Sequence, residues 1–120
     1  AVRAAVSNGF RLFDLAAVYN NEDAIGRVLA QLMNEEVITR EQIFLTSKVP
    51  PLLSCSHQAM LDALDKTLRH LRTSYLDAYL VHWPFCVAAG SPKWPAPLQY
   101  QQGYSAAQLR ETWRTMEFLV

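Results

Sequence analysis

An α/β fold built on a parallel sheet is predicted for this chain, and three features predict it. Apolar runs of β-type residues alternate with segments of helical periodicity. Three of those runs each close on an ionisable residue: Phe10-Arg11-Leu12-Phe13-Asp14, Ile43-Phe44-Leu45-Thr46-Ser47-Lys48 and Leu76-Asp77-Ala78-Tyr79-Leu80-Val81-His82. Asp14 and Lys48 lie 34 residues apart, as do Lys48 and His82, and one parallel βα unit takes about 30 residues or more. In a parallel α/β protein the C-terminal ends of all strands share one face, the face where ligands bind. The spacing therefore gathers a carboxylate, an amine and an imidazole at one mouth, which points to an active site.

The elements follow in order. Residues 1–8 read as the tail of a helix, ended by Asn8-Gly9 as helices commonly are. A strand is expected over 10–14. The next helix opens near Asn21-Glu22-Asp23, where acidic side chains suit the positive end of the helix dipole, and Ile25, Val28, Leu29, Leu32 and Met33 form its apolar stripe. Thr39-Arg40-Glu41-Gln42 is polar punctuation before a strand over 43–48, which Pro50-Pro51 stops. A helix over 57–72 places Leu61, Leu64, Leu68 and Leu71 on one face, and a strand over 76–82 ends at Pro84. Residues 84–105 interleave Pro84, Pro92, Pro95 and Pro97 with Phe85, Trp94, Tyr100 and Tyr104. A loop of that length without its own structure is usually functional or disordered, and the aromatic content favours a folded lid or pocket wall. A last helix over 106–120 carries Leu109, Trp113, Met116 and Leu119. The order β-α-β-α-β-loop-α implies right-handed crossovers. A spacing of 34 residues also occurs in helical repeat arrays, but the β-rich runs argue against one.

Composition narrows the function. Of 120 residues 51% are hydrophobic, and 11 basic side chains balance 11 acidic ones. A core is within reach, no basic stripe suggests nucleic acid, and no apolar run approaches the roughly 20 residues that span a bilayer. No signal-peptide pattern opens the chain. It starts at Ala1 and stops at Val120 inside a helical pattern, so both ends are expected to be cut. Cys55 and Cys86 lack CxxC spacing, which makes a reducing cytosol the default. Cys86 lies four residues after His82, but the further ligands of a zinc site are missing, so no metal is expected.

Tyr19 falls five residues after Asp14, in the loop beyond the first strand. A free phenol, with a pKa of about 10, is a poor acid near neutrality. An adjacent ammonium favours the phenolate, so Lys48 is expected to tune Tyr19 while Asp14 holds Lys48. His82 is placed to donate to the oxygen of a bound carbonyl. Such a set delivers a proton to an oxygen that gains charge as its carbon is attacked. None of these side chains supplies a hydride, so a reduction needs a cofactor. Taken singly, each residue has a plainer reading as a solvated charge, a structural phenol or a core histidine. All four together on three successive strand ends are much harder to ascribe to chance.

Several segments resemble the aldo-keto reductases. Gly9-Phe10-Arg11-Leu12-Phe13-Asp14-Leu15-Ala16, then Ala17-Val18-Tyr19-Asn20-Asn21-Glu22 and Ile25-Gly26, resembles the family's first signature. Phe44 to Val49 resembles the segment bearing its active-site lysine, Leu76 to Pro84 its histidine segment, and Arg110 to Glu117 the helix after its long loop. The resemblance implies an aldose/aldehyde reductase-like (β/α)8 TIM barrel that reduces aldehydes and ketones with NADPH. On it Tyr19 is the general acid, Lys48 and Asp14 tune it and contact the cofactor, and His82 orients the carbonyl. Family members reducing a steroid carbon–carbon double bond carry Glu at the histidine position, so His82 favours carbonyl reduction. Val18, Tyr19, His82 and Trp83 match positions lining the substrate pocket.

The resemblance also implies a cytoplasmic protein that is a monomer at full length, with a small-molecule carbonyl as substrate and neither nucleic acid nor membrane as partner. A whole barrel takes about 250 residues, so residues 1–120 are expected to be the N-terminal portion of one barrel domain, about three βα units plus the long loop and following helix. The family's segments for the adenosine phosphate and for stacking on the nicotinamide lie beyond this stretch, and the fragment alone is expected to be inactive. Leu12 and Leu15 depart from the His and Thr or Ser that many members carry. Two alternatives share the fold: a cofactor-binding regulatory subunit and a crystallin-like structural protein.

Overall fold

A computed structural model describes residues 1–51, 56–87, 99 and 101–119. Helix α1 (Val2–Ser7) ends at Asn8, and Gly9 follows with φ of +86°. A Cβ there would meet nothing within 4 Å, so the left-handed backbone, not space, is what favours glycine. Strand β1 (Leu12–Asp14) leads through a 3₁₀ turn, Ala17–Tyr19, into helix α2 (Glu22–Asn34). A second 3₁₀ turn, Arg40–Gln42, carries a capping box between Thr39 and Gln42 and precedes β2 (Phe44–Val49). Helix α3 (His57–Leu71) and strand β3 (Ala78–Val81) complete the repeating part.

The strands pair in parallel in the order β1-β2-β3. Leu12 faces Phe44 and Asp14 faces Thr46 across the first pair; Thr46 faces Ala78 and Lys48 faces Leu80 across the second. Strand side chains alternate between faces. Leu45, Ser47 and Val49 are buried on the helix side, while Phe44, at 44% exposed, and Lys48 look the other way. The main apolar cluster joins Val6 of α1, Leu29 and Leu32 of α2, and Ile38, Ile43 and Leu45, with Phe13, Ile25, Val28 and Met33 packed on it. The helical stripe expected for α2 is thus the one that is buried.

At the N-terminal ends of β2 and β3 the guanidinium of Arg40 gathers the chain. It donates to Thr73 Oγ1 at 2.9 Å, Ile43 O at 3.0 Å, Tyr75 O at 2.9 Å and Asp77 Oδ2 at 2.8 Å, and lies 3.8 Å from the Tyr75 ring centroid. Asp77 Oδ2 also accepts from Leu45 N at 2.8 Å. Burial pushes the Asp77 carboxyl up, but the Leu45 N–H and the Arg40 guanidinium outweigh it and hold it below its ordinary value.

Several expectations need correction. All three parallel strands are shorter at their starts than the apolar runs suggest, because pairing, not apolarity, sets their ends. In α3 the buried residues are Met60, Ala63, Thr67 and Leu71; Leu61, Leu64 and Leu68 are half-buried. Leu64 and Leu68 line, with Met116 and Leu119, a cleft of about 320 Å³. The long segment after β3 is not structureless: β4 (Phe85–Val87) and β5 (Gln101–Gly103) pair antiparallel. Pro92, Trp94, Pro95, Pro97 and Tyr100 lie outside the described residues, as does Cys55. Cys86 is disulfide-bonded. Helix α4 (Ala106–Phe118) is closed by a Ser105–Gln108 capping box, yet its buried residues are Thr112 and Thr115, while Leu109 is 54% and Trp113 60% exposed. It packs mainly on α3, where His57 Nδ1 lies 2.9 Å from Thr115 Oγ1; of its apolar stripe Leu109 and Trp113 stay exposed, while Met116 and Leu119 are half-buried.

Candidate active site

The strand ends bring the predicted side chains together. Lys48, the penultimate residue of β2, donates from Nζ to Asp14 Oδ1 and to Leu15 O, each at 2.7 Å. Asp14 Oδ1 also accepts from Thr46 Oγ1 at 2.7 Å. The hydrogen bond from Lys48, followed by that from Thr46, holds the Asp14 carboxyl below the usual carboxylate range and outweighs the opposing effect of burial. The lysine is anchored at both a charge and a carbonyl, so its ammonium has a fixed position on the mouth of the sheet. Two bonds from one ammonium to charged and polar oxygens are the strong kind.

Tyr19 reaches the same place from the 3₁₀ turn. Its ring centroid lies 5.4 Å from Lys48 Nζ, and half of the residue is exposed. Asn20 closes that turn in the left-handed region, φ 54° and ψ 30°, a conformation asparagine accepts more readily than most residues. The Tyr19 ring meets the His82 ring edge-on at 6.0 Å. His82 stacks on Trp83 at 5.7 Å, and Trp83 in turn contacts the Phe85 ring at 5.8 Å. Val18 is half-buried beside Tyr19 in the turn.

His82 follows β3 directly, its N–H donating to Val49 O at 3.3 Å. Its Nδ1 is buried and without a hydrogen-bond partner among the described residues. Burial first, and the Lys48 charge second, lower its pKa, with Asp14 opposing. The imidazole is therefore neutral at neutral pH and presents one N–H donor. Of the six residues singled out from the sequence, Asp14, Lys48, Tyr19, His82 and Trp83 are joined by these contacts, and Val18 adjoins Tyr19 in the turn. Sequence reasoning missed Thr46, whose hydroxyl steadies Asp14; its position two residues before Lys48, on the same strand face, is the signal that could have found it. Among the described residues no group of three or more His, Cys, Asp or Glu side chains could hold a metal, and no helix is long and apolar enough to cross a membrane.

A larger cleft of about 500 Å³ lies away from this mouth, between β3 and α4, lined by Tyr79, Leu80, Val81, Trp113, Met116 and Glu117. It carries no gathered ionisable set and marks the unpaired outer edge of β3. The gathered ionisable side chains are those at the strand ends.

The family model described as Aldo/keto reductase family matches residues 1–120. The chain is 37% identical over 123 residues to aldo-keto reductase family 1 member A1 of Bos taurus, covering all of this chain and 37% of that protein. It is 40% identical over 126 residues to aldose reductase B of Dictyostelium discoideum, again over its whole length and 40% of the relative. The aldose reductase of Schistosoma japonicum superposes with a TM-score of 0.84 at 36% identity, over 99% of this chain and 39% of that one. A Bombyx mori aldo-keto reductase solved in complex with NADP gives 0.78 at 29% identity, over 98% and 34%. The chain thus spans well under half the length of these relatives, and its three parallel strands are part of a TIM-barrel fold. With the family model matched from Ala1 to Val120 and relatives at 37–40% identity along its full length, the chain belongs to the aldo/keto reductase family.

Proposed function

We propose that residues 1–120 are the N-terminal portion of one barrel domain in an NADPH-dependent reductase of aldehydes and ketones. The observation that carries the reading is the meeting of four side chains: Lys48 bonded to Asp14 at 2.7 Å, its ammonium beside the Tyr19 ring, and that ring against His82. Tyr19 gives its proton to the carbonyl oxygen. Lys48 stabilises the charge left on the phenolate, and Asp14 keeps the ammonium in place. Neutral His82 donates its N–H to the carbonyl, orienting it with Val18 and Trp83 as walls. Hydrogen-bond donors fixed before charge develops are the largest lever such a site has.

The donor set fits a nicotinamide cofactor. Asp14 exposes 62% of its side chain at the mouth and Lys48 sits beside it, an acceptor and a donor suited to the polar groups of a nucleotide's nicotinamide end. When bound, NADPH supplies the hydride. The NADP complex of the Bombyx mori relative supports this choice. The two non-catalytic readings, a regulatory subunit and a structural protein, have no observation favouring them over a site whose acid, amine and imidazole are all in reach.

The test is NADPH consumption by the intact protein carrying this chain, with an aromatic aldehyde, beside Tyr19→Phe. Loss of the proton donor is expected to lower kcat by about 10²-fold or more. NADPH binding without aldehyde-dependent consumption would move the weight to a regulatory or structural role.

A further inference from the structure

Glu22 is a buried carboxylate that the proposed chemistry does not use. It opens α2, three residues after Tyr19, and is 4% exposed. Its Oε1 accepts from Ser47 Oγ at 2.6 Å and its Oε2 from Thr67 Oγ1 at 3.1 Å, both hydroxyls being fully buried. Burying a carboxylate is costly unless its oxygens are bonded. The two hydroxyls and the positive end of α2 offset that cost, and together they bridge three elements: α2, β2 and α3.

The bridge lies directly behind the site. Ser47 is the neighbour of Lys48 on β2, and successive strand side chains point to opposite faces. Ser47 therefore reaches into the helix layer while Lys48 reaches the mouth. On the other side only Asn20 and Asn21 separate Glu22 from Tyr19, with Asn20 held in the left-handed region. Gly26, one helical turn after Glu22, lets α2 lie close enough to α3 for the contact: a Cβ there would fall 2.1 Å from His70 O. Tyr79, paired with Ser47 across β2 and β3, adds a buried hydroxyl without a hydrogen-bond partner among the described residues. Burial, with the Glu22 charge second, pushes that phenol up. Glu22 thus faces Ser47, Thr67 and Tyr79, while the Tyr19–Lys48 pair faces Asp14 and His82.

Resting on the reductase reading, we propose that Glu22 is a positioning residue, which through Ser47 fixes the turn bearing Tyr19 against the strand bearing Lys48. It touches neither substrate nor cofactor. Its effect is the separation of phenol and ammonium, on which proton delivery depends.

The test compares Glu22→Ala, Glu22→Gln and Ser47→Ala in the intact protein, with Tyr19→Phe as reference. The readouts are kcat and KM for NADPH-dependent reduction of an aromatic aldehyde across pH, and the thermal midpoint. Glu22→Ala and Ser47→Ala are expected to lower kcat about tenfold with little change in KM. They are also expected to move the pH profile of kcat by about half a unit or more. Glu22→Gln still meets both hydroxyls and restores most of kcat. If Glu22→Ala is too unstable to purify, Ser47→Ala, which removes one leg of the bridge, decides. A lower thermal midpoint with kcat per active site and pH profile unchanged overturns the positioning role and leaves a structural one. An unmodified protein without aldehyde-dependent turnover overturns the reductase reading itself.

Discussion

His82 shows how burial and charge combine at a single residue. Its pKa is lowered, first by burial and then by Lys48, so the folded protein resists a proton that the unfolded chain accepts near pH 6.5. The sign follows. The stability is fully present above about pH 6.5 and is lost as pH falls through that value toward the lowered folded pKa. In urea titrations of the intact protein between pH 7.5 and 5.5, His82→Asn is expected to flatten the loss seen in the parent; equal slopes in both would sink the assignment. Asp14 adds a similar dependence at lower pH, its stabilising bonds from Lys48 and Thr46 disappearing as the carboxylate protonates through its lowered pKa. The residues of the candidate site were legible in the sequence because strand ends are legible: Asp14, Lys48 and His82 each close an apolar run at one spacing. Glu22 was not, since an acid in the first turn of a helix reads as a complement to the dipole whether it faces water or the core.

At the scale of elements the crossing of α2 and α3 depends on Gly26. Its hydrogen faces the His70 carbonyl and Leu71 backbone, where a methyl would lie 2.1 Å from His70 O and 2.7 Å from Leu71 Cα. Backbone atoms do not swing aside, so Gly26→Ala must push the helices apart. The expected cost is about 3 kcal/mol or more, read as a fall in the denaturant midpoint. An unchanged midpoint would mean that the helices are not so close. The order of helices and strands was readable from periodicity, and α2 is buried along the stripe its sequence shows. The faces of α3 and α4 were not readable. Thr67, Thr112 and Thr115 are buried while Leu109 and Trp113 are exposed, because tertiary partners decide which stripe of a helix is covered, and a leucine count does not carry their identity. The β4–β5 pair was missed for a related reason: strands of three residues carry too little alternation to be seen among prolines.

The whole molecule is an open slab. Its radius of gyration is 15.7 Å, against about 13.6 Å for a compact domain of this length. Strands β1 and β3 are sheet edges, and Leu12, Phe44 and Leu80 are exposed on the face opposite the helices. Unpaired edges beside exposed apolar side chains are a hazard for association. Residues 1–120 purified alone are therefore expected to self-associate, to bind an apolar dye and to show no NADPH-dependent turnover. A monodisperse, active monomer in size-exclusion chromatography would contradict this.

The Arg40 clasp carries a further consequence. It ties β2 to β3 at the end remote from the mouth, through the Thr73 hydroxyl, the Ile43 and Tyr75 carbonyls and the Asp77 carboxylate. Alignment of β2 with β3 is therefore secured without help from the mouth, whereas β1 is tied to β2 at the mouth itself, by Thr46 and Lys48 on Asp14. The loops above are thereby free to differ in length and side chain without disturbing the base, which keeps Lys48 and His82 in step.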